Sequence, residues 1–350
     1  MEHAVSVLVS DIAKGNRVAV EASMETLVMN HFPALSAFVT LRGHISRTVL
    51  LFVSLLFVYP VMAQTYAVVV SGLGGESQYT EQFSTTGQVV FESLQSLAVE
   101  DDLIVYLDET ATRDVILKAI NDVASRIKPG EPSVFSLFFI GHGNADSGGW
   151  RFNVTGPDLT TEDLVAALNP ITASQQLVVL AASASGAALD ILAQPQRVVV
   201  TATKSGGESN AVKFPEFMAQ ALLKSDADFD RNEILTIAEV FRFAQSRTVE
   251  YYEQQKLLAP EHARLAGDNA VDIAVALLGS LKNATDDPAV ASLLDERLVL
   301  EDSFNQLKQA KATLTSNDYY AQLEQLLLKI ARLQQVIDVA TGWSESDAES

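Results

Sequence analysis

The 350-residue chain carries 24 basic and 44 acidic side chains, a net charge of −20, and no cysteine. An acidic balance this strong excludes a nucleic-acid-binding face, and the missing thiols exclude disulfides, thiolate metal sites and a cysteine nucleophile. With 48% apolar and 19% charged residues, the composition is that of a folded domain with a core, not of a disordered chain.

Taken in chain order, the first feature is a window without acids. From Thr26 to Gly75 there is no Asp or Glu; Arg42 and Arg47 precede the apolar run Val49–Pro60, and Val61-Met62-Ala63 follows. A basic flank, a short apolar core and an Ala-ending site describe a secretory signal peptide over 42–63. The apolar run is shorter than the roughly 20 residues that span a bilayer. The expectation is therefore a periplasmic or secreted protein processed near Ala63, with an uncleaved membrane anchor as the alternative. Residues 1–41 read as an extension upstream of a later translation start. Processing after Ala63 removes four acids and four bases, so the charge stays at −20. It leaves His142 and His262 as the only histidines, too few for a histidine-rich zinc site.

Five short, β-branched apolar runs follow: Tyr66–Val70, Leu103–Leu107, Val134–Ile140, Leu177–Ala181 and Arg197–Ala202. Continuous apolarity instead of alternation predicts strands of a parallel sheet covered on both faces. Glu81–Leu97, Thr112–Ile127 and Thr161–Leu168 read as the intervening helices, the last capped by Thr160 or Thr161. The alternation predicts an α/β domain over 64–210. A helical subdomain, 211–269, has Phe214–Lys224 and Ile237–Gln254 as helices around an acidic loop. Beyond it, 270–343 carries two amphipathic runs, Pro288–Thr313 and Asp318–Val339, divided at Ser316-Asn317. Leu323, Leu326, Leu327, Ile330, Leu333 and Ile337 form a heptad-like stripe on the second. An antiparallel helical hairpin is expected, packed on the core or used for self-association. The acidic tail 344–350 reads as disordered.

Reactive groups in open parallel sheets gather past the carboxyl ends of the strands. The third strand runs into Gly141-His142-Gly143, and the fourth into Ala182-Ser183-Ala184-Ser185-Gly186. If these strands are neighbours, His142 and Ser183 face each other, and amides of the small-residue turn are placed to form an oxyanion hole. The plain alternative is a polar strand end with no chemistry.

The segments Phe-Ile-Gly-His142-Gly and Ala-Ala-Ser183-Ala-Ser-Gly186 resemble the caspase-fold cysteine peptidases, and the legumain family in particular. There one strand ends in His-Gly and the next in Ala-Cys-x-Ser-Gly. Tyr66-Ala-Val-Val-Val-Ser-Gly is similar to that family's first strand, and Thr201-Ala-Thr with Glu208-Ser209 to the segment after its last parallel strand. The resemblance covers about Tyr66 to Asn269. It implies a caspase-like three-layer sandwich, His142 and Ser183 at the catalytic positions, and Ser71, Gly72, Gly143 and Ala181 at oxyanion or substrate-binding positions. The departures matter more. Serine stands at the nucleophile position, and a serine hydroxyl, unlike a thiol, needs a hydrogen-bonded base held by a third group. Gln78-Tyr79-Thr80-Glu81 replaces the family's Asn-Tyr-Arg-His, and Ala181 replaces an acid. The implied protein is a pseudopeptidase that binds peptide or protein partners, with a His142–Ser183 hydrolase as the alternative and no cofactor for chemistry.

Two further motifs compete for attention. Gly72-Leu-Gly74-Gly75 imitates the opening of a dinucleotide fingerprint, with Asp108 as the ribose acid, but Ser77 stands at the third glycine position. Asp228-Phe-Asp230-Arg-Asn232-Glu-Ile-Leu235-Thr-Ile-Ala-Glu239 fits a calcium loop, with oxygen ligands at Asp228, Asp230, Asn232 and Glu239. Glu233 occupies the place where glycine usually turns the chain. The expected occupant is a structural Ca²⁺. Glu261-His262 reads as a capped turn.

Overall fold

The computed structural model describes residues 63–97, 103–279 and 314–341, with isolated positions between 281 and 311. All of them belong to one compact unit, Pro60–Ser350. The extension 1–41, the signal segment before Ala63, most of Pro288–Thr313 and the tail 344–350 lie outside the described residues.

A six-stranded sheet forms the centre. Its strands are β1 (Gln64–Ser71), β2 (Ile104–Leu107), β3 (Ser133–Gly141), β7 (Gln175–Ala182), β8 (Arg197–Thr201) and β10 (Arg264–Ala266). In space they run β10-β8-β7-β3-β1-β2, all parallel except β10, which pairs antiparallel with β8. Each of the five apolar runs read from the sequence is a parallel strand. The antiparallel edge strand β10, three residues long, is an addition too short to announce itself.

Helices cover both faces, and the alternation of strand side chains explains why. Ala67, Val69, Phe138, Ile140, Val179, Ala181 and Val200 face α1 (Ser77–Gln95), α5 (Phe214–Leu223) and α6 (Ile237–Gln254). Val68, Val70, Leu137, Phe139, Val178 and Leu180 face α2 (Arg113–Ala124), α3 (Thr161–Leu168) and α4 (Leu189–Leu192). A strand with two buried sides has no polar side to show. The sequence runs are therefore continuous.

Local signals set the helix starts. Thr112 accepts a hydrogen bond from Val115 N, and Thr160 forms a reciprocal capping box with Asp163, as Thr236 does with Glu239. Three short strands, β4 (Gly143–Asp146), β5 (Gly149–Phe152) and β6 (Leu159–Thr160), make a small antiparallel sheet just past β3. A further pair, β9 (Ile234–Thr236) and β11 (Ala274–Leu277), follows the acidic loop. Helix α7 spans Ser316–Thr341. From its heptad-like stripe, Leu333 and Ile337 bury against Ile234 and Leu277, whereas Leu327 is 47% exposed. The stripe is thus at least partly consumed by the chain's own core. Among the described residues, no helix is long and apolar enough to cross a membrane.

Candidate functional site at the carboxyl rim of the sheet

Strands β3 and β7 are neighbours, paired up to Ile140 with Ala181 and Gly141 with Ala182. His142 and Ser183 lie one step further, on strand ends about 4.8 Å apart. This rim adjoins the β1/β3 position where the order of the sheet reverses, the usual place for a ligand crevice in open α/β sheets.

The surroundings of His142 are aromatic. Its ring meets Tyr79 edge-on at 4.7 Å and Phe83 at 4.9 Å between centroids. Burial holds the imidazole below the ordinary histidine value, against a Gly74 backbone hydrogen bond and the Glu76 carboxylate, which both raise it. Burial thus favours the neutral form of the ring. Ser183 is 2% exposed, and its carbonyl accepts a hydrogen bond from the Trp150 indole at 3.0 Å. Among the described residues, no hydrogen bond joins the His142 ring to the Ser183 hydroxyl, and no carboxylate is hydrogen-bonded to that ring.

The turn after Ser183 is built by close backbone approach. Ala184 adopts φ of 57°, a left-handed conformation that is costly for alanine. Its N–H donates to the Glu208 carbonyl at 2.8 Å, and the Gly186 N–H donates to the Thr203 hydroxyl at 2.9 Å. A Cβ on Gly186 would lie 2.3 Å from backbone atoms of Lys204 and Ser205, so only glycine fits. The two amides are thus spoken for by the loop after β8. The expectation of an oxyanion hole at this turn is corrected for them: they hold the turn together.

The implied substrate-binding residues separate. Gly143 stays at the rim, where a Cβ would come within 2.6 Å of the Trp150 indole nitrogen and 2.8 Å of the Ser183 carbonyl. Gly72 is close by, but its N–H donates to the Ile140 carbonyl at 2.8 Å. Ser71 and Ala181 point inward. Ser71 is 2% exposed, donates to the Phe83 carbonyl at 2.9 Å and accepts from the Tyr106 hydroxyl at 3.1 Å. Ala181 is fully buried among the residues facing α1 and α5. Both belong to strand ends that continue one residue further than the sequence reading placed them, which keeps their side chains in the core. Asp108 of the dinucleotide reading is held by Thr110, whose hydroxyl and N–H both donate to it and lower its carboxyl below the usual range.

A polar cluster that sequence reading missed sits on the same rim. Glu208 accepts from the His262 ring at 2.6 Å, from the Lys204 and His262 N–H groups at 2.8 and 3.1 Å, and lies 3.3 Å from the Lys204 ammonium. Burial raises the Glu208 carboxyl, but these donors outweigh it and hold it below the ordinary value. The neighbouring Glu261 is buried. It accepts from Lys213 N, Phe214 N and the Tyr252 hydroxyl, capping α5 from a distant segment; here burial prevails and pushes its carboxyl up. The sequence shows Glu208-Ser209 and Glu261-His262 separately, and the structure joins them through the Glu208–His262 contact.

Away from the rim, Asp228, Asp230 and Glu239 bring carboxylate oxygens within 4.8 Å of one another and could hold a metal ion. Asn232 stands with them, its amide nitrogen donating to Asp230 at 3.2 Å and its N–H to Asp228 at 3.0 Å. Glu233, in the glycine position, adopts φ of 61°, the left-handed turn that glycine would make there at less cost.

No protein-family model matches the chain, and no curated protein matches it.

Proposed function

We propose that the protein is a caspase-fold peptidase homologue, akin to the legumains, that binds a peptide or protein at the His142–Ser183 rim without hydrolysing it. The observation that carries this reading is the pairing of His142 and Ser183 on adjacent strand ends with no hydrogen bond between them. A serine nucleophile needs its base in contact and that base oriented by a third group. Here the His142 ring is packed by Tyr79 and Phe83 instead. The amides of Ala184 and Gly186 are committed to Glu208 and Thr203, which withdraws two of the turn's donors from any developing oxyanion. Export past Ala63 accords with the acid-free, signal-like segment before β1, which itself begins at Gln64. A structural Ca²⁺ bound by Asp228, Asp230, Asn232 and Glu239 belongs to the same reading, as does self-association through the C-terminal helices.

The test is a fluorescently labelled peptide library incubated with the purified protein. Binding without turnover, weakened in His142→Ala, is the expected outcome. Turnover abolished by both His142→Ala and Ser183→Ala overturns the reading in favour of a serine hydrolase. Cleavage gained in Ser183→Cys shows a site complete but for its sulfur.

A further inference from the structure

A groove of about 660 Å³ opens between the β4–β5 hairpin, α3 and α4. That volume lies within the range of natural ligand sites. Its floor is aliphatic, made by Val165, Ala166, Ala187 and Ile191, and Ile191 is 53% exposed. Exposed aliphatic surface in a concavity is what a docking partner covers.

The charge at the lip is mainly acidic, with the Arg151 guanidinium, which stands against Gly148 and Asp146, as a neighbouring cation. The lining residues include Asp146 and Glu162 and no Lys or Arg. Asp146 is paired with Arg151 of its own hairpin at 2.7 Å, so Glu162, exposed in the first turn of α3, is the lip acid left to meet a ligand. Asp190, exposed next to Ile191 in the first turn of α4, adds a second negative charge. At the hairpin tip, Gly149 holds φ of 94° and Gly148 has no side chain, so backbone forms that wall. The groove abuts the rim from behind. Ala187 lies in the turn Ser185–Ala188, and a Cβ on Gly206 of the post-β8 loop would lie 2.8 Å from Ala145 and 3.2 Å from Ala187.

We propose that this groove docks a basic aliphatic peptide segment. An aliphatic side chain seats on Val165, Ala166, Ala187 and Ile191, and a flanking Lys or Arg pairs with Glu162. The site is separate from the His142–Ser183 rim and stands without it.

Fluorescence anisotropy with three labelled peptides of equal length tests this: one alternates Leu and Lys, one Leu and Glu, one Ser and Lys. The Leu–Lys peptide binds, and the other two bind at least ~10-fold more weakly. Ile191→Asp and Ala166→Trp, both at exposed positions, each weaken the Leu–Lys peptide by ~10-fold, with circular dichroism reporting an unchanged fold. Glu162→Lys weakens Leu–Lys and strengthens Leu–Glu. His142→Ala leaves Leu–Lys binding intact. Equal binding of Ser–Lys and Leu–Lys reveals bare attraction to an acidic chain and overturns the proposal. So does Leu–Lys binding that ignores Ile191→Asp. Loss of Leu–Lys binding in His142→Ala puts the peptide on the rim and overturns it too, whereas failure of any peptide to engage the rim touches only the preceding reading.

Discussion

His142 owes its low pKa to burial beside two aromatic rings, which ties its protonation to stability. The folded chain resists charging this ring, and the unfolded chain does not. Between the depressed folded value and the ordinary 6.5, the unfolded state binds more protons, so stability falls as pH drops through that window. Urea unfolding at about pH 7.5 and about pH 5.5 reads the effect as a difference: the change on acidification is less favourable in wild type than in His142→Phe. An equal change in both proteins refutes the assignment. Gly186 makes a sterically sharper case. Its missing Cβ faces backbone atoms at 2.3 Å, which cannot swing away as a side-chain tip would. Gly186→Ala costs about 3 kcal/mol, measured by denaturant unfolding. Residues of this kind were legible where a strand end met small neighbours, as at Gly141-His142-Gly143. Ser71 was misleading because sequence does not reveal that Phe83 and Tyr106 occupy its hydroxyl. Glu208 and His262 stand 54 residues apart, and no local pattern joins them.

The same limit acts on whole elements. Parallel strands and helix Ile237–Gln254 could be read because burial on both faces, or on one stripe, writes a periodic pattern. Strands β4, β5 and β6 have two to four residues each, and β4 is Gly-Asn-Ala-Asp, which carries no strand signature. They pair because the chain leaving β3 folds back as a hairpin, a tertiary cause. Helix α5 shows a second form of this. Its N-terminus lacks a local side-chain cap, with Lys213 at the cap position, and Glu261 supplies the acceptor from beyond α6. Glu261→Gln puts an amide donor where N–H and O–H groups already converge. It destabilises the protein by about 2 kcal/mol, read by denaturant unfolding with hydrogen exchange at the Lys213 and Phe214 amides as the local report. The pH dependence has a defined sign. A carboxyl raised in the fold contributes most below its unfolded value of about 4.5, and that contribution is lost as pH rises through the higher folded value. The Gln variant lacks that slope.

At the scale of the molecule, strand order decides what the rim holds, and composition could not supply it. His142 and Ser183 meet because β7 lies beside β3, whereas a sheet with another order would separate them. Charge, by contrast, is fully legible. A chain at −20 repels itself, and screening relieves part of that cost. Raising NaCl from about 0.01 M to about 0.3 M therefore increases the thermal midpoint. The acidic loop turns this general effect into a specific test. Glu239 already caps α6 through one carboxylate oxygen bonded to Thr236, while its other oxygen accepts only from Phe229 N. Glu239 shares a cluster with Asp228 and Asp230 that could hold a metal ion, and a cation bound through that second oxygen would leave the Thr236 cap in place. A bound ion stabilises in proportion to the logarithm of its concentration over Kd, beyond anything screening does. At matched ionic strength, about 5 mM CaCl₂ raises the midpoint above the NaCl value in wild type. In Asp230→Ala, where the helix cap is untouched, calcium and sodium give the same midpoint. Calcium that does no more than sodium for wild type removes the metal from this loop and leaves the acids as a helix-capping turn.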